Sequence, residues 1–277
     1  MHIQRVFSQT FPNLLTIAGS DSGAGAGVQA DLKTAAALGG YAKTAITAIT
    51  AQNTQGILEV QVLEPKLVKA QIQAALVDGG WQAAKVGMLG TAAVTQVVAE
   101  MLAQAAQQGM QAPVVLDPVL RASSGSALAN GSDLPEVMLQ YLLPYVDVWT
   151  PNLSEAEILL GQRVATQAEM ALAAKALVQK GAKAVLLKGG HLPGQQVADV
   201  LVQQGTDQVL WWEEARIDTP NTHGTGCTLS TALAVYLAKG ETLPVAVEKA
   251  RQYVRQALEA GKKLQAGLGN GPLQHFV

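Results

Sequence analysis

The sequence predicts an α/β fold in which helices cover both faces of a mostly parallel sheet. Short apolar runs such as 14–19 and 184–188 recur along the chain, and each has the length of a strand buried on both sides. Segments with helical spacing separate these runs, which is typical of parallel α/β folds. No repeat, linker-like stretch or change in composition interrupts the pattern, so we expect one domain over residues 1–277.

These patterns place the elements in order. Strands are expected at 14–19, 43–50, 57–63, 84–89, 114–117, 147–150 and 184–188, followed by an antiparallel hairpin of 197–203 and 208–214 around Gly205. Helices are expected after the first strand, with Val28, Leu32 and Ala36 on one face, and from Pro65, with Val68, Ile72, Ala75 and Leu76 on one face. Two further helices, at 224–239 and 243–263, close the chain. The adjacent Trp211 and Trp212 are expected to pack the hairpin.

Composition excludes several classes of function. The formal net charge is -2, only 14% of the residues are charged and no basic cluster occurs, so we expect neither nucleic acid nor a charged membrane surface as a partner. No apolar run is long enough to span a bilayer, and the first residues do not resemble a secretion signal. Cys227 is the single cysteine, which fits a cytoplasmic protein without internal disulfides.

Six of the expected strands deliver candidate site residues at their ends. These residues are Ser20 and Asp21, Gln52 and Asn53, Met88, Asp117, Asn152 and Glu155, and the run 188–191. Ligands of open α/β sheets bind beyond the carboxyl ends of the strands. We therefore expect a wide crevice at this edge, with room for two ligands.

The glycine-rich loop GSDSGAGAGVQAD, at 19–31, has two interpretations. Alternate glycines between a strand and a helix are typical of dinucleotide-binding loops, but such sites need an acidic residue about 20 residues further on. This chain has Thr50, Gln52 and Asn53 there instead, and no Lys-Ser/Thr pair makes the loop a Walker motif. The other interpretation is a tight turn that lets helix and strand pack closely.

A stronger signal is NTHGTGCTLS, at 221–230, where a helix is expected to begin. The backbone N–H groups of Gly224, Thr225, Gly226 and Cys227 would form an anion site suited to a transferring phosphoryl group. The alternative is an ordinary helix start with a glycine turn. Cys227 is either a thiolate base favoured by the helix N-terminus or a small buried apolar residue, and the sequence leaves both open.

Asn152 and Glu155 form an N-x-x-E pair at another expected helix start. The pair is either a capping box or a source of oxygen donors to hydrated Mg²⁺, which Asp117 could join. His191 and His223 lack the paired spacing of zinc ligands.

Several segments together resemble one known family. They are TIAGSDSGAGAGVQADLKT, ITAITAQNTQG, KVGML, DPVL, TPNLSEAE, LLKGGH, NTHGTGCTLS and the terminal GPLQHF. In this order they resemble the bacterial hydroxymethylpyrimidine/phosphomethylpyrimidine kinases of the ribokinase-like superfamily. The resemblance runs from Leu14 to Phe276, and the combination of QADLKT, TAQNT and THGTGC makes it specific.

The resemblance implies a ribokinase-like three-layer α/β/α fold, usually as a homodimer, and the use of ATP and Mg²⁺ in thiamine biosynthesis. It implies phosphorylation of 4-amino-5-hydroxymethyl-2-methylpyrimidine and then of the resulting monophosphate. By match of position, Gln52 would bind the aminopyrimidine, Asp31 and Gly19 would lie near its hydroxymethyl group, and Met88 would pack on the ring. The anion hole and the proposed base would come from Gly224, Gly226 and Cys227. The Mg²⁺–phosphate motif would be Asn152 and Glu155, and the nucleotide contacts would be Lys188, Gly189 and His191.

The chain departs from the family pattern at a few positions. Leu120 stands where relatives often have methionine, and Ser123 where they often have a phosphate-binding lysine that Arg121 could replace. Ala24 is a further change, in the first glycine loop.

Two other functions stay open at this point. A pyridoxal-type kinase of the same superfamily also phosphorylates a hydroxymethyl group on a six-membered ring. A non-catalytic module that binds the pyrimidine would give ligand binding without turnover of ATP.

Overall fold

Nine strands form one sheet in the computed structural model, which describes residues 11–120, 133–190 and 192–277. They are β1 (Asn13–Asp21), β2 (Tyr41–Asn53), β3 (Gly56–Val62), β4 (Ala83–Val86), β5 (Val114–Leu116), β6 (Val148–Trp149), β7 (Ala184–Lys188), β8 (Gln196–Gln203) and β9 (Val209–Ala215). Their order across the sheet is β3-β2-β1-β4-β5-β6-β7-β8-β9. The strands from β2 to β7 in this order are parallel, while β3, β8 and β9 pair antiparallel.

Helices cover both faces of the sheet. They are α1 (Gly27–Ala37), α2 (Pro65–Val77), α3 (Ala92–Gln107), α4 (Leu134–Val137), α5 (Leu153–Leu160), α6 (Gln167–Gln179), α7 (Thr225–Ala238) and α8 (Leu243–Gly261). The helices α1, α7 and α8 pack on one face, and α2 to α6 pack on the other. The result is the expected three-layer α/β/α arrangement.

Adjacent residues of the strands enter the two cores alternately. Val185 faces the core under α2 to α6, and Leu186 faces the core under α1, α7 and α8. Trp211 and Trp212 divide between the same two cores, in agreement with their expected role in packing the hairpin. Each fully buried aliphatic side chain contributes about 1.5–3 kcal/mol. Both faces of the sheet are therefore covered, so a ligand can bind only at an edge of the sheet.

The chain changes its direction across the sheet between β1 and β4. From β1 it continues to β2 on one side, and it later returns to β4 on the other side. At such a switch point the connections leave in opposite directions and open a crevice beyond the carboxyl ends of the strands. The residues Gly19 and Asp21 of β1, and Met88 just after β4, lie at this opening.

The nine expected strands are present, and α2 buries the four residues expected of it. In α1 the expectation is wrong beyond Val28, because Leu32 and Ala36 are exposed while Asp31 and Thr34 are buried. The inner face of α1 meets a polar patch of the sheet, so the apolar period does not mark its buried side. No helix within the described ranges is long and apolar enough to cross a membrane.

Candidate active site

A crevice of about 870 Å³ lies beyond the carboxyl ends of the parallel strands. Its wall includes these residues singled out from the sequence: Gly19, Gln52, Met88, Asp117, Asn152, Glu155, Lys188 and the run 224–227. They come from the ends of separate strands and from the starts of α5 and α7. Small-molecule sites occupy roughly 300–1,000 Å³, so this volume is large enough for a nucleotide beside a small ring.

The start of α7 lies against the first glycine loop. Its N-cap, Gly224, has a left-handed φ of 87° and makes no side-chain cap. A Cβ at this position would lie 1.9 Å from the carbonyl oxygen of Gly25. Only glycine combines this backbone conformation with so close an approach.

The first turn of α7 leaves backbone donors free. The N–H of Thr225 donates to the carbonyl oxygen of Thr222 at 3.3 Å, which removes Thr225 from the expected set of four. For Gly224, Gly226 and Cys227, the described chain supplies no acceptor for the backbone N–H. Three free donors at the positive end of a helix dipole form a binding site for an anion.

Cys227 lies in this first turn and is partly exposed. Burial raises the pKa of the Cys227 thiol to about 11, although the nearby ammonium of Lys85 opposes this shift. Cys227 is therefore protonated at neutral pH, despite its place at a helix start.

Charged groups gather at the ends of β5, β6 and β7. The Nζ of Lys188 lies 2.6 Å from Oδ1 of Asp117. Burial would lower the pKa of Lys188, but Asp117 and Glu155 raise it above its ordinary value. Burial raises the pKa of Glu155 to about 7, and Lys188 opposes this shift while Asp117 adds to it. Two carboxylates share one ammonium here, so the site favours a further cation.

Asn152 and Glu155 form a capping box at the start of α5. The Oδ1 of Asn152 accepts from the N–H of Glu155 at 2.9 Å, and the Oε2 of Glu155 accepts from the N–H of Asn152 at 2.8 Å. The structural alternative from the sequence is therefore correct for these contacts. The second carboxylate oxygen of Glu155, like Oδ2 of Asp117, makes no hydrogen bond within the described chain.

The other end of the crevice is built around Gln52, and we call it the ring end. The amide Nε2 of Gln52 lies 3.3 Å from Nε2 of His223, and its Oε1 lies 3.3 Å from Oγ1 of Thr50. Met88 lies in the same wall, and a Cβ on Gly19 would lie 3.1 Å from its sulfur. The ring end thus combines one planar amide with an apolar thioether surface.

Asp21 and His223 join the first loop to the start of α7. The Oδ2 of Asp21 lies 2.9 Å from Nε2 of His223 and also accepts from the N–H groups of Gly25 and Ala26. Burial would raise the pKa of Asp21, but the hydrogen bonds from His223, Ala26 and Gly23 lower it. The charged carboxylate thus accepts hydrogen bonds from the backbone N–H groups in front of α1, which leaves these groups unavailable to a ligand. Alternating small residues after an aspartate could have signalled this turn, but the sequence analysis did not predict the contact between Asp21 and His223.

Asp31 is not in the crevice wall, which corrects the expectation that it contacts a substrate. It is fully buried, with both carboxylate oxygens 2.9 Å from Nζ of Lys85 and one accepting from Thr231 at 2.7 Å. The hydroxyl of Thr16 also donates to it. Burial would lower the pKa of Lys85, but Asp31 raises it, so the ion pair is locked beneath the site.

Two of the expected nucleotide contacts, Gly189 and His191, are not among the described residues of the crevice wall. Gly189 is buried outside the crevice wall, and its N–H donates to Oδ1 of Asp199 at 2.9 Å. Its neighbour Gly190 lines the crevice instead. His191 lies outside the described residues, as do Arg121 and Ser123.

Comparison with known proteins gives consistent matches over almost the whole chain. A family model described as phosphomethylpyrimidine kinase matches residues 21–274. A hydroxymethylpyrimidine/phosphomethylpyrimidine kinase of Rhizobium meliloti is 44% identical over 263 residues, covering 95% of this chain and 96% of that protein. A protein of the same name from Streptomyces coelicolor is 45% identical over 266 residues, covering 96% and 95%.

Solved structures extend the comparison. A pyridoxal kinase from Staphylococcus aureus in complex with AMP-PCP and pyridoxal is 33% identical, with a TM-score of 0.84 over 97% of this chain and 94% of that one. A phosphomethylpyrimidine kinase from Clostridium difficile is 37% identical, with a TM-score of 0.75 over 89% of this chain and 99% of that one. The fold is therefore ribokinase-like, and the chain belongs to the phosphomethylpyrimidine kinase family.

Proposed function

We propose that this enzyme transfers the terminal phosphate of ATP to the hydroxymethyl group of 4-amino-5-hydroxymethyl-2-methylpyrimidine, and then phosphorylates the monophosphate. One observation carries the proposal: Gln52 and the open start of α7 line the same crevice. His223 connects them, because its ring lies 3.3 Å from Gln52 and its backbone leads directly into Gly224. Ring recognition and phosphate binding therefore lie side by side.

The amide of Gln52 is available to a ligand. Because Asp21 is a charged acceptor, Nε2 of His223 carries the proton that it donates to Asp21. That nitrogen then has no lone pair for the amide N–H of Gln52, so the 3.3 Å contact does not satisfy it. An aminopyrimidine presents a ring nitrogen acceptor beside an amino donor, and a planar amide can pair with both at once.

At the other end, the free N–H groups of α7 and the ammonium of Lys188 suit the transferring phosphate. Fixed donors of this kind stabilise charge as it develops on a phosphoryl group. Within the described residues, Asp117 and Glu155 each retain a carboxylate oxygen without a hydrogen bond, which fits Mg²⁺, an ion that takes one or two carboxylates and completes its shell with water and phosphate. When bound there, Mg²⁺ would neutralise phosphate charge.

We assign Cys227 the role of accepting the proton of the attacking hydroxyl. Its place in the first turn of α7 puts it beside the free backbone donors. Because its pKa is about 11, it is a thiol at rest and must lose its proton before it can accept another. Turnover should therefore increase with pH.

The test is incubation of the protein with ATP, Mg²⁺ and the aminopyrimidine alcohol, followed by mass analysis of the products. We expect the monophosphate first and the diphosphate later. If only the monophosphate forms, the second phosphorylation is not an activity of this enzyme. Tight binding of the alcohol without turnover of ATP would favour a binding module instead.

A pyridoxal kinase is the second candidate, favoured by the structural similarity to the Staphylococcus aureus enzyme. Both substrates carry a hydroxymethyl group on a six-membered ring, so activity on pyridoxal alone does not separate the two functions. Activity on the pyrimidine monophosphate does separate them, because a pyridoxal kinase phosphorylates a hydroxymethyl group and not a phosphate. Comparing kcat/KM for pyridoxal and for the two pyrimidine substrates decides between them.

We further propose that the enzyme acts in the cytoplasm as a homodimer, as the resemblance implies. Sedimentation equilibrium should give twice the mass of 28.8 kDa. A single species at the monomer mass over the micromolar range would contradict the dimer.

A further inference from the structure

Two segments that carry the family resemblance have no role in the proposed reaction beyond the contacts of His223. They are residues 221–223, in front of α7, and residues 271–275, near the end of the chain. The structure brings them together: His223 pairs with Pro272 in a short parallel bridge, and its N–H donates to the carbonyl oxygen of Gly271 at 3.1 Å. The contact suggests that the end of the chain belongs to the site.

Asn221 fixes this arrangement with one buried amide. Its Nδ2 donates to the carbonyl oxygens of Gly261 at 2.7 Å and Leu264 at 2.8 Å, and its Oδ1 accepts from the N–H of Gly271 at 3.1 Å. The side chain is only 4% exposed. A single residue therefore pins both ends of residues 261–273, which we call the terminal strap. Loss of this amide would leave the carbonyl of Leu264 and the N–H of Gly271 without their partner, while Gly261 would keep the N–H of Leu264; an unpaired group is costly where it is buried.

The middle of the terminal strap lies on the turn between β2 and β3. The N–H of Gly269 donates to Oγ1 of Thr54 at 3.0 Å. A Cβ on Gly267 would lie 2.3 Å from the same oxygen, and a Cβ on Gly269 would lie 2.1 Å from the carbonyl oxygen of Thr54. Gly269 is needed because the two backbones approach so closely, and Gly267 because the side chain of Thr54 lies against it. Thr54 is two residues from Gln52.

The terminal strap therefore spans the ring end of the crevice. On one side it holds the backbone of His223, whose ring contacts Gln52 and Asp21. On the other side it holds the turn that follows Gln52. Between these attachments, Asn270 of the strap lines the crevice itself.

We propose that the terminal strap is a wall of the ring end, and that Asn221 is the positioning residue that holds it in place. The strap fixes His223 and the turn after Gln52 relative to each other, so it sets the geometry in which the ring substrate is bound. Of the phosphate end, the strap adjoins the start of α7 through His223, whereas the charged cluster of Asp117, Glu155 and Lys188 makes no hydrogen bond or ion pair with the strap in the described chain. The inference rests on the proposed function, because the ring substrate is the probe.

The experiment compares Asn221→Ala with Asn13→Ala in the full-length protein. Asn13 is a matched control, since its Nδ2 also donates to a backbone carbonyl, that of Gly80 at 3.3 Å, at the opposite edge of the sheet. In Asn221→Ala we expect the KM for the pyrimidine alcohol to rise about tenfold, an effect of about 1.4 kcal/mol, while the KM for ATP changes less than about twofold. In Asn13→Ala both KM values should stay near those of the wild type.

Gly269→Ala serves as a second variant if Asn221→Ala folds poorly. It leaves the Asn221 amide intact but pushes the strap away from the backbone of Thr54. The same selective rise in the KM for the pyrimidine alcohol is expected. Equal changes in both KM values, or unchanged values in a variant that folds, would overturn the inference. Absence of phosphorylation by the wild type would instead refute the proposed function. In that case the dissociation constants of the pyrimidine alcohol for the wild type and Asn221→Ala, measured by calorimetry, would still decide the role of the strap.

Discussion

The starts of α5 and α7 face the same crevice, yet their backbone donors meet different fates. At α5, Asn152 and Glu155 cap the helix reciprocally. At α7, Gly224 provides no side chain, and the backbone N–H groups of Gly224, Gly226 and Cys227 have no acceptor in the described chain. Helices that begin at the carboxyl ends of the strands point their backbone donors at the ligand edge, but only a helix start without internal partners can bind an anion.

The start of α1 supports the same distinction. There the carboxylate of Asp21 accepts from Gly23, Gly25 and Ala26, so the loop that mimics a dinucleotide fingerprint is already filled by the chain's own anion. This difference supports the proposed phosphate site at α7, while the first glycine loop serves close packing. Because Gly224 abuts Gly25, these two loops support each other.

The largest expected effect is at the open helix start. Gly224→Ala introduces a Cβ 1.9 Å from a backbone oxygen at a left-handed position, so the first turn must move. Displacing donors of this kind lowers kcat by roughly a hundredfold or more. Gly161→Ala is the matched control, since Gly161 ends α5 with a φ of 68° and open space around its Cβ position. Steady-state kinetics should show the loss for Gly224→Ala only, and equal losses in both variants would mean that strain alone is responsible.

The next effect concerns proton transfer at the same helix start. With a pKa of about 11, only about one Cys227 in ten thousand is a thiolate at pH 7. If the thiolate accepts the proton, kcat should rise about tenfold for each pH unit between 7 and 9, because deprotonation increases with pH below the pKa. Cys227→Ala should be much slower and lack this slope. A wild-type profile that is flat over this range would assign Cys227 to packing.

A smaller effect should separate capping from metal binding at α5. Glu155→Gln keeps an oxygen to accept from Asn152 but cannot carry charge. We expect the unfolding free energy to change by less than about 0.5 kcal/mol, while the Mg²⁺ concentration for half-maximal rate rises severalfold. Because the pKa of Glu155 is about 7, this concentration should fall with rising pH in the wild type and not in the variant.

The capping box of α6 provides the control. Thr166 and Glu169 make the same reciprocal contacts as Asn152 and Glu155, but outside the crevice wall. Glu169→Gln should leave both stability and the Mg²⁺ requirement unchanged. A Glu155→Gln variant with an unaltered Mg²⁺ requirement would show that α5 is only capped.

Sequence patterns predict those parts of the molecule that depend on local periodicity and on the geometry of parallel sheets. The buried face of α2 follows from apolar spacing, and the placement of Gln52, Asp117 and Lys188 in one crevice follows from their positions at strand ends. Spacing fails for α1, because a buried ion pair makes Asp31 part of its inner face. A pattern that treats every carboxylate as exposed cannot find such a pair.

The terminal strap could not be predicted for a different reason. Its contacts join residues far apart in sequence, such as Thr54 and Gly269, and no local pattern encodes such closure. The sequence marked the family's terminal segment only by resemblance. Likewise, NTHGTGCTLS predicted the open start of α7, but the loss of Thr225 to an internal hydrogen bond is visible only in the folded chain.

The smallest expected effect concerns how the first turn of α7 is held by the end of the chain. His275 is buried, and its Nε2 lies 3.0 Å from Oγ1 of Thr228. Burial, with a smaller contribution from Lys33, lowers the pKa of His275 to about 4. Below its ordinary pKa of 6.5 the unfolded chain therefore binds a proton that the folded chain does not.

The stability that neutral His275 contributes should accordingly be complete above pH 6.5 and be lost as the pH falls from 6.5 toward 4. His275→Gln cannot take up this proton, so its unfolding free energy, measured with urea, should decrease less between pH 7 and pH 5 than that of the wild type. Identical decreases would mean that other groups account for the acid sensitivity. Because α5 is capped by its own side chains and α7 is not, only the open helix start depends on this distant histidine for support.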